Sequence, residues 1–219
     1  MATRERFYIT VLVDGETYTP DKRLPLEGGI QRYNVTYDSD TSTLRIDSTD
    51  SEKGVLFYPG HMDSPNAKHY GFSTSIAVFV PTKENTCDVL VITRHENRDA
   101  FPTHLAFPAI YMQKNEDPLS VVLSQLTKST GITVHVPESV SLHSIIESVP
   151  DDKTHNIMLV FQCGFNDPTN YIPEIGYDFV KKAQYMSLDI IQENLDKFTP
   201  GIAKMLGSSK CTHNSFVPK

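Results

Sequence analysis

Hydrophobic and polar positions alternate over the first third of the chain and then change period. Residues 7–13, Phe-Tyr-Ile-Thr-Val-Leu-Val, form a β-branched and aromatic run closed by the turn signal Asp14-Gly15. Residues 30–37, 42–46 and 55–58 repeat that texture between clusters of Asp, Ser and Gly. The pattern predicts a β-rich segment over residues 1–66 with little helix. Pro59-Gly60 through Pro65-Asn66-Ala67 reads as a connector.

From His69 onward strands alternate with helices. Residues 73–80 and 88–93 are apolar strands flanking a polar turn at 81–86, which predicts a hairpin. A loop rich in charge follows at 94–102. Residues 141–149 and 156–164 read as strands joined through Pro150-Asp151-Asp152-Lys153. A short strand at 182–186 leads into a helix at 188–198 with Ser187 as its N-cap, and 202–206 add a turn or two of helix. Residues 208–219 are expected to be a mobile tail. The clearest helical pattern lies between these strands. Leu119, Val122, Leu123 and Leu126 sit at i, i+3, i+4 and i+7, with Asp117 placed to cap, Pro118 in the first position and Gly131 to stop the helix.

With 219 residues, 39% hydrophobic and 21% charged, the chain has the size of one domain plus a small appendage. No apolar run approaches the roughly 18–20 residues that cross a bilayer. The start, Met-Ala-Thr-Arg-Glu-Arg-Phe, lacks an apolar signal core. These features predict an intracellular protein, in cytoplasm or nucleus, without a membrane partner. A net charge of −7 argues against a broad basic face, so any RNA contact is confined to a local patch. Cys87, Cys163 and Cys211 are far apart and odd in number, which indicates neither a disulfide scaffold nor a zinc site. Cys87 and Cys163 fall in strand-like runs and are expected as small core residues. His61 with His69, and His135 with His143, lack metal-ligand spacing.

Residues 107–132 read Phe-Pro-Ala-Ile-Tyr-Met-Gln-Lys-Asn-Glu-Asp-Pro-Leu-Ser-Val-Val-Leu-Ser-Gln-Leu-Thr-Lys-Ser-Thr-Gly-Ile. The segment resembles the Nudix box, a loop–helix–loop with the pattern G-x5-E-x7-R-E-U-x-E-E-x-G-U. Anchored on Gly131 and Ile132, Ile110 stands at the first glycine and Glu116 at the first glutamate. Ser124 and Gln125 replace the arginine–glutamate pair, and Lys128 and Ser129 replace the last two glutamates. The stretch Val89-Leu90-Val91-Ile92-Thr93-Arg94 resembles the family's strand ending in a basic residue. His104-Leu105-Ala106-Phe107-Pro108, Glu174-Ile175 and Ala183-Gln184-Tyr185-Met186-Ser187-Leu188 extend the likeness over residues 70–207. It implies an α/β fold, the Nudix-like α/β/α sandwich with a mixed sheet, preceded here by the small β-rich segment 1–66.

The chemistry of the box departs from that family. Magnesium takes hard anionic oxygens, usually carboxylates together with substrate phosphate. From Pro118 to Thr130 there is no Asp or Glu, and Gln125, Lys128 and Ser129 supply an amide, an ammonium and a hydroxyl. Ala109 and Ile110 replace a Gly-Gly pair, and a β-branched residue fits poorly where φ is positive, so the 109–115 loop is expected to be rebuilt. These departures predict a chain that is not an enzyme, holds neither metal nor cofactor, and acts by binding. A protein partner comes first, because the chain is acidic and the added β segment offers a surface; nucleotide or RNA in the altered cleft comes second. Arg94, His104, Tyr111 and Lys128 are the binding candidates, and Phe107 is expected in the core. The alternative is an active metal-dependent hydrolase of nucleoside diphosphate-linked substrates, recruiting Glu96, Glu116, Asp117 or Glu174. Nudix proteins often form homodimers, and no residue here decides that point.

Overall fold

The computed structural model describes residues 7–21, 31–60, 66–81, 87–97, 101–135, 140–151, 154–164, 173, 180–212 and 215–218. In chain order the elements are β1 (Tyr8–Val13), β2 (Glu16–Tyr18), β3 (Arg32–Asp38), β4 (Thr43–Thr49), β5 (Val55–Tyr58), β6 (Tyr70–Pro81) and β7 (Cys87–Arg94). Then follow β8 (Leu105–Ala106), β9 (Ala109–Tyr111), α1 (Pro118–Thr130), β10 (Val140–Asp151), β11 (Thr154–Gly164) and β12 (Val180–Ser187). The chain closes with α2 (Leu188–Glu193), a short 3-10 turn (Leu195–Lys197), α3 (Pro200–Gly207), β13 (Ser209–Thr212) and β14 (Ser215–Pro218).

All strands but the last two join one mixed sheet in the order β12-β7-β6-β11-β10-β5-β3-β4-β1-β2, with β8 on β7 and β9 on β6. The pairs β1–β4, β5–β10 and β6–β11 are parallel, and the rest antiparallel. A further pairing, Tyr8 with Gly71 and Ile9 with Tyr70, brings β1 back to β6. The strands β6, β11, β10, β5, β3, β4 and β1 therefore close on themselves as a barrel. Closure removes the exposed edges that β1 and β6 would otherwise present there.

β6 is buried on both faces, with the polar run Ser73-Thr74-Ser75 followed by the apolar run from Ile76 to Val80. Ile76, Val78 and Val80 point into one core cluster, and Ala77 and Phe79 into another. The first cluster holds the barrel interior and the buried side of α1, including Val122, Leu126 and Ile132. The second holds Leu188 and Ile191 of α2 with Ile202, Met205 and Leu206 of α3. Helices thus cover opposite faces of a mixed sheet, the α/β/α sandwich implied by the sequence.

Local chemistry explains the helix bounds. Asp117 accepts from Ser120 N at 2.8 Å, Pro118 starts α1, and Gly131 ends it at φ 72° with its N–H on Thr127 O. Leu119 and Leu123 pack against the first cluster beside Val122 and Leu126, completing the stripe. Ser187 caps α2 through Ile190 N. The predicted 188–198 helix ends early because the Asn194 side chain donates to Ile190 O at 2.8 Å and its backbone leaves the helical region. Within the segment expected to be a mobile tail, Ser209–Thr212 and Ser215–Pro218 form the antiparallel pair β13–β14. Cys87 and Cys163 are fully buried core residues, as expected; what three cysteines spaced far apart do not reveal is that Cys87 is also disulfide-bonded, which Cys163 is not. Among the described residues no helix is long and apolar enough to cross a membrane.

One buried carboxylate ties the early strands to the later ones. Glu147 on β10 is 2% exposed. Its Oε2 accepts from Tyr18 OH at 3.2 Å and Gly60 N at 2.8 Å, and its Oε1 accepts from Tyr70 OH at 2.9 Å. His155 Nδ1 lies 2.9 Å from Oε1, and its Nε2 has no partner, so the proton sits on Nδ1 facing the carboxylate. The Tyr18 and Tyr70 rings stack at 5.5 Å. Glu147→Ala strands several buried donors, and urea unfolding is expected to show a loss of about 3–5 kcal/mol; Tyr18→Phe is expected to cost about 1 kcal/mol. A Glu147→Ala protein within about 1 kcal/mol of wild type would show that this cluster does not hold the barrel shut.

Candidate functional site

A cavity of about 110 Å³ opens on the α3 side of the sheet. Ser73 and Ser75 of β6 and Asn156 and Met158 of β11 form its floor, and β9 contributes Ala109, Ile110 and Tyr111. Arg94 at the end of β7, Phe101 and Phe107 line further wall, and the first turn of α3, Thr199 to Ile202, completes it. Main-chain bonds fix these pieces: Arg94 N to His104 O at 3.0 Å, Ile76 N to Pro108 O at 3.1 Å and Thr199 N to Leu105 O at 3.0 Å.

The side chains have distinct chemistry. Among the described residues lining the cavity, Arg94 is the one ionised group, a planar cation suited to carboxylate or phosphate. Asn156, 4% exposed, donates from Nδ2 to Ser73 Oγ at 2.7 Å, and its Oδ1 has no hydrogen-bond partner. Ser75 Oγ donates to Pro108 O at 3.0 Å. Phe101 holds φ at 49°, an uncommon backbone state for a bulky residue, and its ring meets His104 edge-on at 5.6 Å.

The structure gathers some of the expected residues and separates others. Arg94, Ile110 and Tyr111 line the same cavity, and Phe107 is 1% exposed at its wall, at once core and lining. His104 is half-buried with Nδ1 on Pro102 O at 3.0 Å and is not among the lining residues. The box helix lies across the sheet. Ser124 and Lys128 are exposed, Gln125 and Ser129 are buried, and none of the four lines the cavity. Gln125 Oε1 has no partner, and Ser129 Oγ donates back to Gln125 O at 2.7 Å. Glu116 accepts from Gln113 N at 2.8 Å and faces Tyr37 of β3, whose phenol is raised above its ordinary pKa by burial, then by Asp38 and Glu116. Sequence reasoning missed Asn156, Ser73, Phe101 and the α3 turn. Thr199-Pro200-Gly201 carries a helix-start signature, but only folding brings that start to the cavity.

Residues 109–115, expected to be rebuilt, have a simple form. Ala109–Tyr111 is a strand on β6, with Thr74 opposite Ile110, so a β-branched residue stands where extended backbone suits it. The positive φ falls instead on Asn115, at 64°.

The donor set does not fit magnesium. Gln125 and Ser129 present neutral oxygens in a buried setting, Lys128 adds a positive charge, and the carboxylates are committed elsewhere. Glu96 pairs with Lys181 at 2.6 Å, Asp117 caps α1 and Glu116 caps the turn before it, while Glu174 lies outside the described residues. Among the described residues no three His, Cys, Asp or Glu side chains gather at one point.

No protein-family model matches the sequence, and no curated protein sequence matches it. Solved Nudix structures do resemble its fold. The NUDIX domain of Shewanella oneidensis NrtR, solved with ADP ribose, is 12% identical with a TM-score of 0.47, over 56% of this chain and 75% of that one. The MutT protein of Methanosarcina mazei is 14% identical at TM-score 0.49, over 62% and 91%. The Nudix hydrolase RenU of M. smegmatis is 14% identical at 0.47, over 72% and 88%. The likeness is one of fold, and the chain has a Nudix-like fold. Because the structures it resembles include hydrolases, the expectation drawn from Gln125, Lys128 and Ser129 that the chain is not an enzyme is corrected.

The misfit of the box helix to metal is directly measurable. Gln125→Glu restores a box carboxylate at a buried position, and the expected result is a stability loss above about 2 kcal/mol. Magnesium is expected to leave the melting temperature of that variant unchanged. A magnesium-dependent rise would show that the helix can hold the ion after all.

Proposed function

We propose that the cavity between β6, β11, β9 and α3 binds a nucleoside diphosphate-linked ligand. The observation that carries this reading is the convergence of Arg94, Tyr111 and Phe101 on one concave site. A nucleotide presents an aromatic face and an anionic group within one small molecule, and these side chains offer a partner for each. At about 110 Å³ the cavity takes one ring or one phosphate-sized group, and the remainder of the ligand extends over the mouth. The sequence put a protein partner ahead of a small ligand; a concave site with these groups favours the small ligand. In a hydrolase-type fold, the bond exposed to water in such a ligand is the phosphoanhydride, so turnover belongs in the same assay.

Titration calorimetry with ADP-ribose, alongside chromatography of the products with and without magnesium, tests the reading. Wild type is expected to bind. Tyr111→Ala is expected to bind about tenfold more weakly, within the roughly 1–3 kcal/mol of one aromatic stacking contact. Lys128→Ala, altered on the far face of the sheet, is expected to match wild type. The reading fails if wild type does not bind, or if Tyr111→Ala binds as tightly as wild type.

A further inference from the structure

Within that ligand-binding reading, on which this inference rests, we infer that the base of the ligand enters the cavity ahead of its phosphates. Asn156 then selects a base that carries an exocyclic amine, as adenine does. The sheet face beneath α3 changes character along its strands. Ala77 and Phe79 of β6, Val160 of β11 and Ile146 of β10 are apolar where they pack with α2 and α3. The two-residue alternation of those strands puts Ser73, Ser75, Asn156 and Ser148 on the same face, and there they line the cavity.

The floor is thus made of neutral hydroxyls and one amide, with Phe107, Ile110, Tyr111 and Met158 as apolar and aromatic wall. A phosphate on that floor would exchange its water for groups without charge, which is costly. A neutral heterocycle gives up little water and gains contact on its ring faces.

The hydrogen bonds already made on the floor decide which base edge fits. Asn156 is 4% exposed, with Nδ2 donating to Ser73 Oγ at 2.7 Å and Oδ1 lacking a partner. Ser75 Oγ donates its proton to Pro108 O at 3.0 Å, which leaves that oxygen only lone pairs to offer. The remaining capacity of both residues is therefore that of acceptors. A buried acceptor without a donor is costly, and a base amine supplies the missing N–H, which a phosphate does not. Gly71 stands opposite Asn156 in the β6–β11 pair, and a Cβ there would come within 3.2 Å of Oδ1. Glycine at that point leaves the amide room to turn its oxygen toward the incoming amine. With the base inside, the diphosphate stays at the mouth and keeps part of its hydration.

Calorimetry on the full-length chain tests this orientation, with adenosine, purine riboside and ribose 5-phosphate as probes beside ADP-ribose. Purine riboside keeps the ring and lacks the amine. Wild type is expected to bind adenosine about tenfold more tightly than purine riboside, and ribose 5-phosphate is expected not to displace adenosine. Asn156→Leu, similar in size and without hydrogen-bonding groups, is expected to lower adenosine to the affinity of purine riboside while leaving purine riboside within about twofold of wild type. A merely structural role for Asn156 would weaken both nucleosides alike. The wild-type comparison decides the matter even where that variant does not fold. The inference is overturned if wild type binds the two nucleosides equally, if ribose 5-phosphate binds as tightly as adenosine, or if folded Asn156→Leu still tells them apart or weakens both alike. ADP-ribose binding that still responds to Tyr111→Ala leaves the cavity reading standing in each of those cases. If wild type does not bind ADP-ribose, that reading falls, and the base orientation with it.

Discussion

The hydrogen-bonding edge of β6 is the constraint on which the rest of the structure depends. Along one side β6 pairs continuously with β11, from Tyr70 to Phe79. Along the other, three partners divide the strand: β1 at Tyr70 and Gly71, β9 at Ser73 to Ser75, and β7 from Phe79 to Pro81. A buried strand cannot leave backbone groups unpaired, so each partner's length and position is set by the others. β1 closes the barrel, β9 shapes the cavity, and β7 carries Arg94 to its rim.

This division also fixes the backbone at Ala109 and Ile110, where the box pattern that residues 107–132 resemble has two glycines in a loop. Ala109 and Ile110 instead take extended backbone and satisfy β6 directly, with Met112 N continuing to Phe72 O at 2.9 Å. The same pairing brings Tyr111 and Ile110 to the cavity wall. On the far face, α1 keeps its cap, stripe and stop because burial of Val122 and Leu126 requires a helix there whatever the polar positions do. The frame of the box and its chemistry are thus under separate control.

That separation also sets what the sequence could reveal. α1, the long strands β6, β7, β10 and β11, and the caps Asp117, Ser187 and Gly131 were legible because periodicity and terminal residues agree. The three-residue strands β2 and β9 and the two-residue β8 were not, since such short pairings carry no period and depend on an edge supplied from elsewhere. Barrel closure was invisible for the same reason: it rests on Tyr8 and Ile9 meeting Tyr70 and Gly71. Of the four residues expected to bind, Arg94 and Tyr111 line the cavity, whereas His104 and Lys128, the latter chosen by its register in the box, do not. Asn156 and Thr199 stand far from the box in the chain and reach the cavity only through sheet order and the docking of α3.

The charge balance makes physical sense of this arrangement. A chain with net charge −7 repels anions at long range, so an anion would have to be met by short-range, directed donors rather than by a general field. In a recess of low dielectric, a single guanidinium acts far more strongly than the same group on an open surface. Lys128 cannot take that part, because it is exposed at the end of α1, where it complements the helix dipole and is screened by solvent. Arg94 instead lines the cavity, where β7 and the bond from its backbone N to His104 O fix its main chain. Position on the sheet, more than residue type, separates the cation that lines the cavity from the one exposed on a helix.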